Sequence, residues 1–139
     1  MTEGRSTPSR LRLERDGPVA RVTLARPDVR NAFDEALIEE LTVVFRDLQA
    51  DREARVVLLT GEGPSFCAGA DISWMRRAGS FSIAQNEEDA GRMARMLRTI
   101  DVCPKPVIAL VHGAAIGGGV GLLAATRTGG TPTAILTKS

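Results

Sequence analysis

The sequence predicts an α/β fold in which parallel strands alternate with helices. Two short apolar runs, residues 56–59 and 107–111, are typical of strands that are covered on both faces of a sheet. A segment with helical periodicity precedes each run, one after Asp34 and one after Ser82. Strands that alternate with helices in this order favour a parallel sheet with crossover helices.

The first strands are predicted to form a β-hairpin over residues 11–24. Apolar and polar residues alternate on both sides of a turn signal, Asp16-Gly17 followed by Pro18. The apolar positions of this alternation are Leu11, Leu13, Ala20, Val22 and Leu24. The pattern indicates a hairpin with one buried face.

Two long helices are predicted from their caps and apolar stripes. Asp34 is a helix-capping residue, and the first helix is expected to end near Asp51. Its stripe consists of Leu37, Ile38, Leu41, Val44, Phe45 and Leu48. Ser82 opens the second helix, and Pro104 ends it. Its stripe consists of Met93, Leu97 and Ile100, and a shorter helix is predicted over 72–77.

Two glycine-rich loops follow the buried strands and provide the strongest functional signal. The first spans 66–72 (FCAGADI), and the second spans 113–119 (GAAIGGG). Their small residues let the backbone turn closely. Two such loops side by side can direct two backbone N–H groups at one oxygen atom, which is the arrangement of an oxyanion hole.

The composition argues against several classes of function. The 139 residues suit one domain, and a net charge of +1 gives no electrostatic reason for nucleic acid to bind. Aromatic residues make up 4% of the chain, so a base-stacking surface is not expected. Two cysteines and one histidine lack the spacing of a metal site, and reduced thiols are expected.

Three segments are expected along the chain: a disordered leader over 1–10, a domain over 11–125, and an aberrant or disordered tail over 126–139. The leader has no apolar secretory region, which favours the cytoplasm.

The run 107–125 approaches the length of a membrane span. However, its five glycines would each cost a helix about 1 kcal/mol. A strand, a turn and a short helix from Gly117 or Gly118 to Ala125 are predicted instead.

Several spaced motifs resemble the crotonase superfamily, that is, the enoyl-CoA hydratase/isomerase family. The similar segments occur in order, at 19–24 (VARVTL), 26–34 (RPDVRNAFD), 66–72 and 105–119. The stretch 66–77 is most similar to members that hydrate methylglutaconyl-CoA and related carboxylated thioesters. The resemblance implies a crotonase-like spiral of ββα turns, of which this chain holds the N-terminal portion. We therefore expect a chain that is truncated at its C-terminus, from a family of trimers and dimers of trimers.

The resemblance also implies roles for individual residues. The backbone N–H groups of Ala70 and Gly118 would form the oxyanion hole and hold the enolate of an acyl-CoA thioester. The implied substrate-binding positions are Ala68, Gly69, Asp71, Ile72, Arg30 and Gly117. Arg30 is open to a second interpretation, a solvated turn residue. Coenzyme A is part of the substrate, so neither a separate cofactor nor a metal is expected.

The residue that transfers protons is not identifiable from the sequence. Gly121 occupies the position where many hydratases of the family carry Glu. The nearest acids are Asp71, Glu87 and Glu88, which also have a structural or solvated interpretation. His112 is interpreted as a structural residue that bonds to neighbouring backbone. Trp74 is interpreted as packing between helix and loop or as shaping the acyl pocket.

The sequence therefore predicts a lyase of the enoyl-CoA hydratase type. Two alternatives stay open at this point. One is an isomerase of the same family, which shares the glycine-rich loops and differs in the acids. The other is a non-catalytic acyl-CoA binder.

Overall fold

The computed structural model describes residues 10–113 and 119, and the backbone of three short strands within 127–137. The strands are β1 (Leu11–Asp16), β2 (Val19–Leu24), β3 (Val56–Gly61), β4 (Val107–Val111), β5 (Arg127–Thr128), β6 (Thr131–Pro132) and β7 (Ile135–Thr137). The helices are α1 (Glu35–Ala50), α2 (Ile72–Ala78) and α3 (Ile83–Asp101), and a 3₁₀ turn at Pro27–Val29 precedes α1. Up to β4, this order of elements is the predicted one.

One five-stranded sheet forms the centre of the described structure, in the order β1-β2-β3-β4-β7. β1 and β2 are antiparallel, with Leu11 opposite Leu24 and Asp16 opposite Val19. The other three pairs, β2 with β3, β3 with β4 and β4 with β7, are parallel. The predicted hairpin and the predicted parallel α/β arrangement are therefore confirmed.

Both long helices begin and end where their sequences predict. Asp34 accepts a hydrogen bond from the Leu37 N–H at 2.8 Å, and Ser82 accepts one from the Gln85 N–H at 3.1 Å. These bonds satisfy backbone donors that the first turn of a helix leaves free. The buried residues of the first stripe are Leu37, Ile38, Leu41, Phe45 and Leu48. In the second stripe Ile100 is buried, Met93 and Leu97 are partly buried, and Met96, outside the predicted stripe, is fully buried. α1 packs against α3, and the sheet residues of the same core cluster lie against them.

Strands β3 and β4 are buried at alternate positions only. Val57, Leu59, Val107 and Ala109 are fully buried, whereas the residues between them are half-buried. The prediction that β3 and β4 are covered on both faces is therefore wrong for the part of the chain that is described. The buried positions share one cluster with α1 and α3, and the described helices leave the alternate positions partly open.

The hairpin buries less of β1 than its pattern predicts. Leu11 is buried, but Leu13 is 48% exposed. β1 is the edge strand of the sheet, and only its first residue lies against the core. The predicted buried face is therefore confirmed for β2 and wrong for most of β1.

Short strands occur after residue 126, where the sequence predicts a disordered tail. β5 pairs with β6, and β7 pairs with β4 so that Ala109 lies opposite Ile135. The apolar and β-branched residues of β7 suit a place beside β4, whose edge otherwise presents unpaired backbone groups. The expectation of a tail without regular structure is corrected at these strands.

Some predictions fall outside the described residues. They concern residues 1–9 of the leader and the helix from Gly117 or Gly118 to Ala125. Arg10, the last leader residue, is described, and its side chain pairs with Asp34 at 3.0 Å. None of the described helices has the length and hydropathy that crossing a bilayer requires.

Candidate functional site

A buried asparagine holds the start of the first glycine-rich loop. Asn31 is fully buried. Its side-chain amide donates to the carbonyl oxygens of Glu62, Ser65 and Phe66, at 2.9, 3.0 and 3.1 Å. Its side-chain oxygen accepts from the Arg26 N–H at 2.8 Å. The φ angle of Asn31 is 57°, in the left-handed region that asparagine tolerates better than most residues. Sequence reasoning missed this residue, although an asparagine after a 3₁₀ turn is a signal for that conformation.

The end of the first loop runs alongside the segment that precedes α1. The Ala68 N–H donates to the Arg30 carbonyl at 3.0 Å. The Phe33 N–H donates to the Gly69 carbonyl at 2.6 Å, and the Asp71 N–H donates to the Phe33 carbonyl at 2.7 Å. These bonds fix the loop backbone on both sides of one residue, Ala70.

The backbone N–H of Ala70 is the exception in this segment. Within the described residues it has no hydrogen-bond acceptor, whereas the N–H groups of Ala68 and Asp71 both have one. Ala70 is exposed, and the preceding Gly69 is buried with a φ of 90°, which side chains other than hydrogen disfavour. Among the described residues, the Ala70 N–H is therefore a donor without an acceptor, on a stretch of backbone that the bonds of Ala68 and Asp71 hold in place.

The carboxylate of Asp71 caps α2 and pairs with a buried arginine. It accepts a hydrogen bond from the Trp74 N–H at 3.1 Å, and its second oxygen lies 3.0 Å from the Arg26 guanidinium. Burial acts to raise the pKa of Asp71, but hydrogen bonds from Trp74, Arg26 and Ser73 outweigh it and lower that pKa below 3.8. The Arg26 guanidinium also lies 3.4 Å from Asp34, so one arginine joins the caps of α1 and α2.

The second glycine-rich loop lies against the first loop at Gly119 and against the segment just before the first loop at Gly113. A Cβ atom on Gly119 would come within 2.6 Å of the Cys67 carbonyl oxygen. A Cβ atom on Gly113, where φ is 62°, would collide with the Pro64 carbonyl oxygen. Only glycine permits this approach, so the side-by-side placement of the two loops is confirmed at these positions.

His112 and Cys67, which lie where the two glycine-rich segments approach each other, both form hydrogen bonds to backbone carbonyls. The His112 imidazole is hydrogen-bonded through Nε2 to the Gly63 carbonyl, which confirms the predicted bond to neighbouring backbone. The Cys67 thiol is buried and donates to the Asn31 carbonyl at 3.2 Å. Burial raises the pKa of the Cys67 thiol, so the uncharged form is favoured.

Two cavities meet at Ala70. The first has a volume of about 380 Å³ and is lined by Asp28, Val29, Arg30, Ala32, Ala68, Ala70, Asp71, Ile72 and Ser73. The second has a volume of about 300 Å³ and is lined by Phe33, Ala70, Trp74, Asp89, Ala90 and Met93. Ala70, whose N–H has no acceptor among the described residues, therefore borders both a cavity of mixed polar and apolar lining and an almost wholly apolar one.

The structure brings most of the predicted site residues together. The first cavity contains Arg30, Ala68, Asp71 and Ile72, and Gly69 lies between two of them in the loop. Arg30 is exposed, with a φ of 56° and no ion pair among the described residues, so neither of its two interpretations is excluded. Gly117 and Gly118 lie outside the described residues.

Asp71, one of the acids expected near the site, lines the first cavity, whereas the acid that lines the second cavity is not one of those expected from the sequence. Glu87 and Glu88 are exposed and line neither cavity. Asp89 is buried and lines the apolar cavity. One signal pointed to it: Asp89 lies one helical turn before Met93, on the helix face that continues to Met96 and Ile100. Trp74 lines the same cavity and also packs against the core, in agreement with its packing interpretation. Its other interpretation, shaping an acyl pocket, stays a prediction.

Comparison with known proteins identifies the family. The family model described as Enoyl-CoA hydratase/isomerase matches residues 14–127. Among curated proteins, the mitochondrial Delta(3,5)-Delta(2,4)-dienoyl-CoA isomerase of Mus musculus is 38% identical over 118 residues, covering 77% of this chain and 35% of the mouse protein. The fold and the paired loops define a crotonase-like protein. The chain belongs to the enoyl-CoA hydratase/isomerase family.

Solved structures support the fold assignment. An enoyl-CoA hydratase from Shewanella pealeana aligns with a TM-score of 0.82 and 39% identity, covering 84% of this chain and 44% of that one. An enoyl-CoA hydratase from Mycobacterium smegmatis aligns with a TM-score of 0.80 and 36% identity, covering 86% of this chain and 46% of that one. The predicted crotonase-like α/β fold is confirmed, and the chain spans less than half the length of these relatives.

Proposed function

We propose that the chain binds an acyl-CoA thioester with its carbonyl oxygen at the Ala70 N–H and takes part in hydratase-type chemistry. The observation that supports this is the unoccupied N–H of Ala70 at the junction of two cavities. A thioester carbonyl gains negative charge when an enolate forms beside it, and a fixed neutral donor stabilises that charge. Removal of one such donor typically raises the barrier by about 3–4 kcal/mol.

The second donor in this proposal is the N–H of Gly118. Its neighbour Gly119 contacts Cys67 in the first loop, and Gly113 contacts Pro64. The second loop therefore ends against the loop that contains Ala70 and starts against the segment just before that loop. Two donors from adjacent backbones suit a single oxygen atom, as the resemblance to the family implies.

The two cavities suggest where the rest of the substrate lies. The cavity with Arg30, Ala68 and Ile72 would take the coenzyme A portion, with the Arg30 guanidinium available to a phosphate. The cavity with Phe33, Trp74 and Met93 would take the acyl chain, because its lining is mainly apolar. Such an arrangement places the thioester between them, beside Ala70.

A backbone substitution tests the proposal directly. Ala70→Pro removes the N–H, although it also fixes φ at this position and restricts Gly69 before it, and Ala70→Gly retains the N–H as a matched control. We expect Ala70→Pro to lower kcat for hydration of a short enoyl-CoA by about 100- to 1,000-fold, and Ala70→Gly to stay near the wild-type rate. Hydration is followed by the loss of absorbance of the conjugated thioester, and circular dichroism checks the fold. A folded Ala70→Pro variant with the wild-type rate would exclude Ala70 as a donor.

An isomerase is the second candidate, because a dienoyl-CoA isomerase is among the similar proteins. The two reactions differ in whether water is added to the substrate. Mass spectrometry of the product after reaction in ¹⁸O-labelled water separates them, since only hydration adds labelled oxygen. Binding of acyl-CoA without any product would favour the non-catalytic binder instead.

The assembly and the location are also proposals. The family resemblance implies a trimer or a hexamer, and the polar N-terminal segment suggests the cytoplasm. Light scattering on the purified chain tests the first, and cell fractionation tests the second.

A further inference from the structure

Two short backbone segments meet at Ala70 in an isolated parallel β-bridge. Phe33 lies opposite Ala70 in this bridge. The Phe33 N–H donates to the Gly69 carbonyl at 2.6 Å, and the Asp71 N–H donates to the Phe33 carbonyl at 2.7 Å. Because strand pairing as short as this is only marginally stable by itself, the direction of the Ala70 N–H depends on what else joins the two segments.

The guanidinium of Arg26 joins the same two segments. Its Nη1 donates to the Ala32 carbonyl, and its Nη2 lies 3.0 Å from the Asp71 carboxylate. Ala32 directly precedes Phe33, and Asp71 directly follows Ala70. One planar group therefore bonds to a residue of each segment. Since the Arg26 side chain is mostly buried, water weakens these bonds little.

We propose that Arg26 is a positioning residue, which sets the direction of the Ala70 N–H by fixing the two segments of the bridge relative to each other. This inference rests on the proposed function, in which that N–H binds the thioester carbonyl oxygen. It goes further, because Arg26 lines neither of the two cavities at Ala70 and acts through the backbone. The rate depends on this alignment, since a donor stabilises an oxyanion only within narrow limits of distance and angle.

An arginine suits this role better than a lysine. Its guanidinium presents separate N–H groups in one rigid plane, so the acceptors that it binds are held in a fixed arrangement. A lysine carries the same charge on one nitrogen at the end of a flexible stem. Arg26→Lys therefore retains a positive charge beside the carboxylates of Asp34 and Asp71, and it loses the rigid link to Ala32.

Two identical substitutions separate positioning from general stability. Arg10 also pairs with Asp34, at 3.0 Å. It forms no hydrogen bond to Ala32 or Asp71 among the described residues, so Arg10→Lys is the matched control. With the full 139-residue chain and a short enoyl-CoA, we expect Arg26→Lys to lower kcat about tenfold and to change KM less than about twofold. Arg10→Lys should leave both constants near the wild-type values.

Amide hydrogen exchange measures the same effect in the free protein, without any substrate. Arg26→Lys should speed exchange at the Phe33 and Asp71 N–H groups about fivefold relative to the amides of β3, which report global unfolding. Arg10→Lys should leave this ratio unchanged. Asp71→Asn weakens the same link from its other end and should speed exchange at Phe33 as well, so the inference stays testable if Arg26→Lys does not fold.

The outcomes distinguish this inference from the proposed function. If the wild-type chain does not convert the thioester, the proposed function fails, and this inference fails with it. If the wild-type chain is active and Arg26→Lys keeps its kcat, only this inference fails. It also fails if Arg10→Lys lowers kcat equally, or if exchange at Phe33 changes only in step with β3, because Arg26 would then be a merely structural residue.

Discussion

At the residue scale, Arg26 links the first residues of α1 and α2 through two ion pairs. It pairs with the caps of two helices, Asp34 and Asp71, and its side chain is only 15% exposed. Asp34 pairs with Arg10 as well, so two carboxylates face two guanidinium groups. Because charges at this depth are costly without partners, this cluster constrains where α2 begins relative to α1.

Acidification should weaken the fold through Asp71. Its pKa is lowered in the folded state, so its contribution to stability is full above its ordinary value of 3.8 and is lost as the pH falls through the lower folded value. Urea unfolding at several values between about pH 3 and pH 7 measures this effect. Asp71→Asn retains a capping side chain and loses the charge, so its stability should depend less on pH over the acidic part of this range. Parallel curves for the two proteins would contradict the assignment.

Asn31→Ala should destabilise the protein by about 3 kcal/mol. The substitution removes three hydrogen bonds from the side-chain amide to backbone carbonyls. It also places alanine at a φ of 57°, a left-handed conformation that alanine tolerates less well than asparagine. Urea unfolding gives the free energy of unfolding.

Asn31→Gly separates the two contributions to that loss. It lacks the same hydrogen bonds but tolerates the left-handed backbone, so it should be more stable than Asn31→Ala by about 1 kcal/mol. If Asn31→Ala is as stable as the wild type, the loop does not depend on this side chain.

At the scale of elements, both long helices are predictable because their signals are local. Asp34 and Ser82 cap them through contacts three residues away, and the apolar stripes repeat along one face. The exposure of Leu13 is not predictable in this way, because it depends on β1 being the edge of the sheet. The burial of Asp89 in the cavity beside Trp74 is also not predictable, because a charged residue normally indicates an exposed position.

Two glycines offer a matched comparison between elements. Gly119→Ala brings a Cβ atom within 2.6 Å of the Cys67 backbone, so it should separate the two loops. We expect a loss of about 1–3 kcal/mol in the free energy of unfolding and weaker acyl-CoA binding. Gly91→Ala lies in α3 with nothing within 4 Å of its new Cβ, so it should stabilise the protein by about 0.5–1 kcal/mol. Thermal unfolding and calorimetric titration of both variants check this. If the two variants changed the free energy of unfolding and acyl-CoA binding equally, the placement of the loops would not depend on the close contact at Gly119.

At the scale of the whole molecule, the sequence predicts the order of the strands and helices better than it predicts which parts of the chain cover or pair with them. The alternation of strands and helices predicts the parallel sheet, and the spaced motifs predict the family. The half-open face of β3 and β4 and the pairing of β7 with β4 depend on contacts between distant parts of the chain. The same applies to the site, where Ala70 is predicted from its motif but the cavities on either side of it are not.

Phe33 contacts both the backbone around Ala70 and the apolar cavity. Its backbone bonds to Gly69 and Asp71, on either side of Ala70, and the residue is part of the cavity lining together with Met93. If the proposed function holds, an acyl chain too bulky for this cavity would displace Phe33 and, through these bonds, the Ala70 N–H. The length of the acyl chain would then affect the rate of the reaction as well as the affinity.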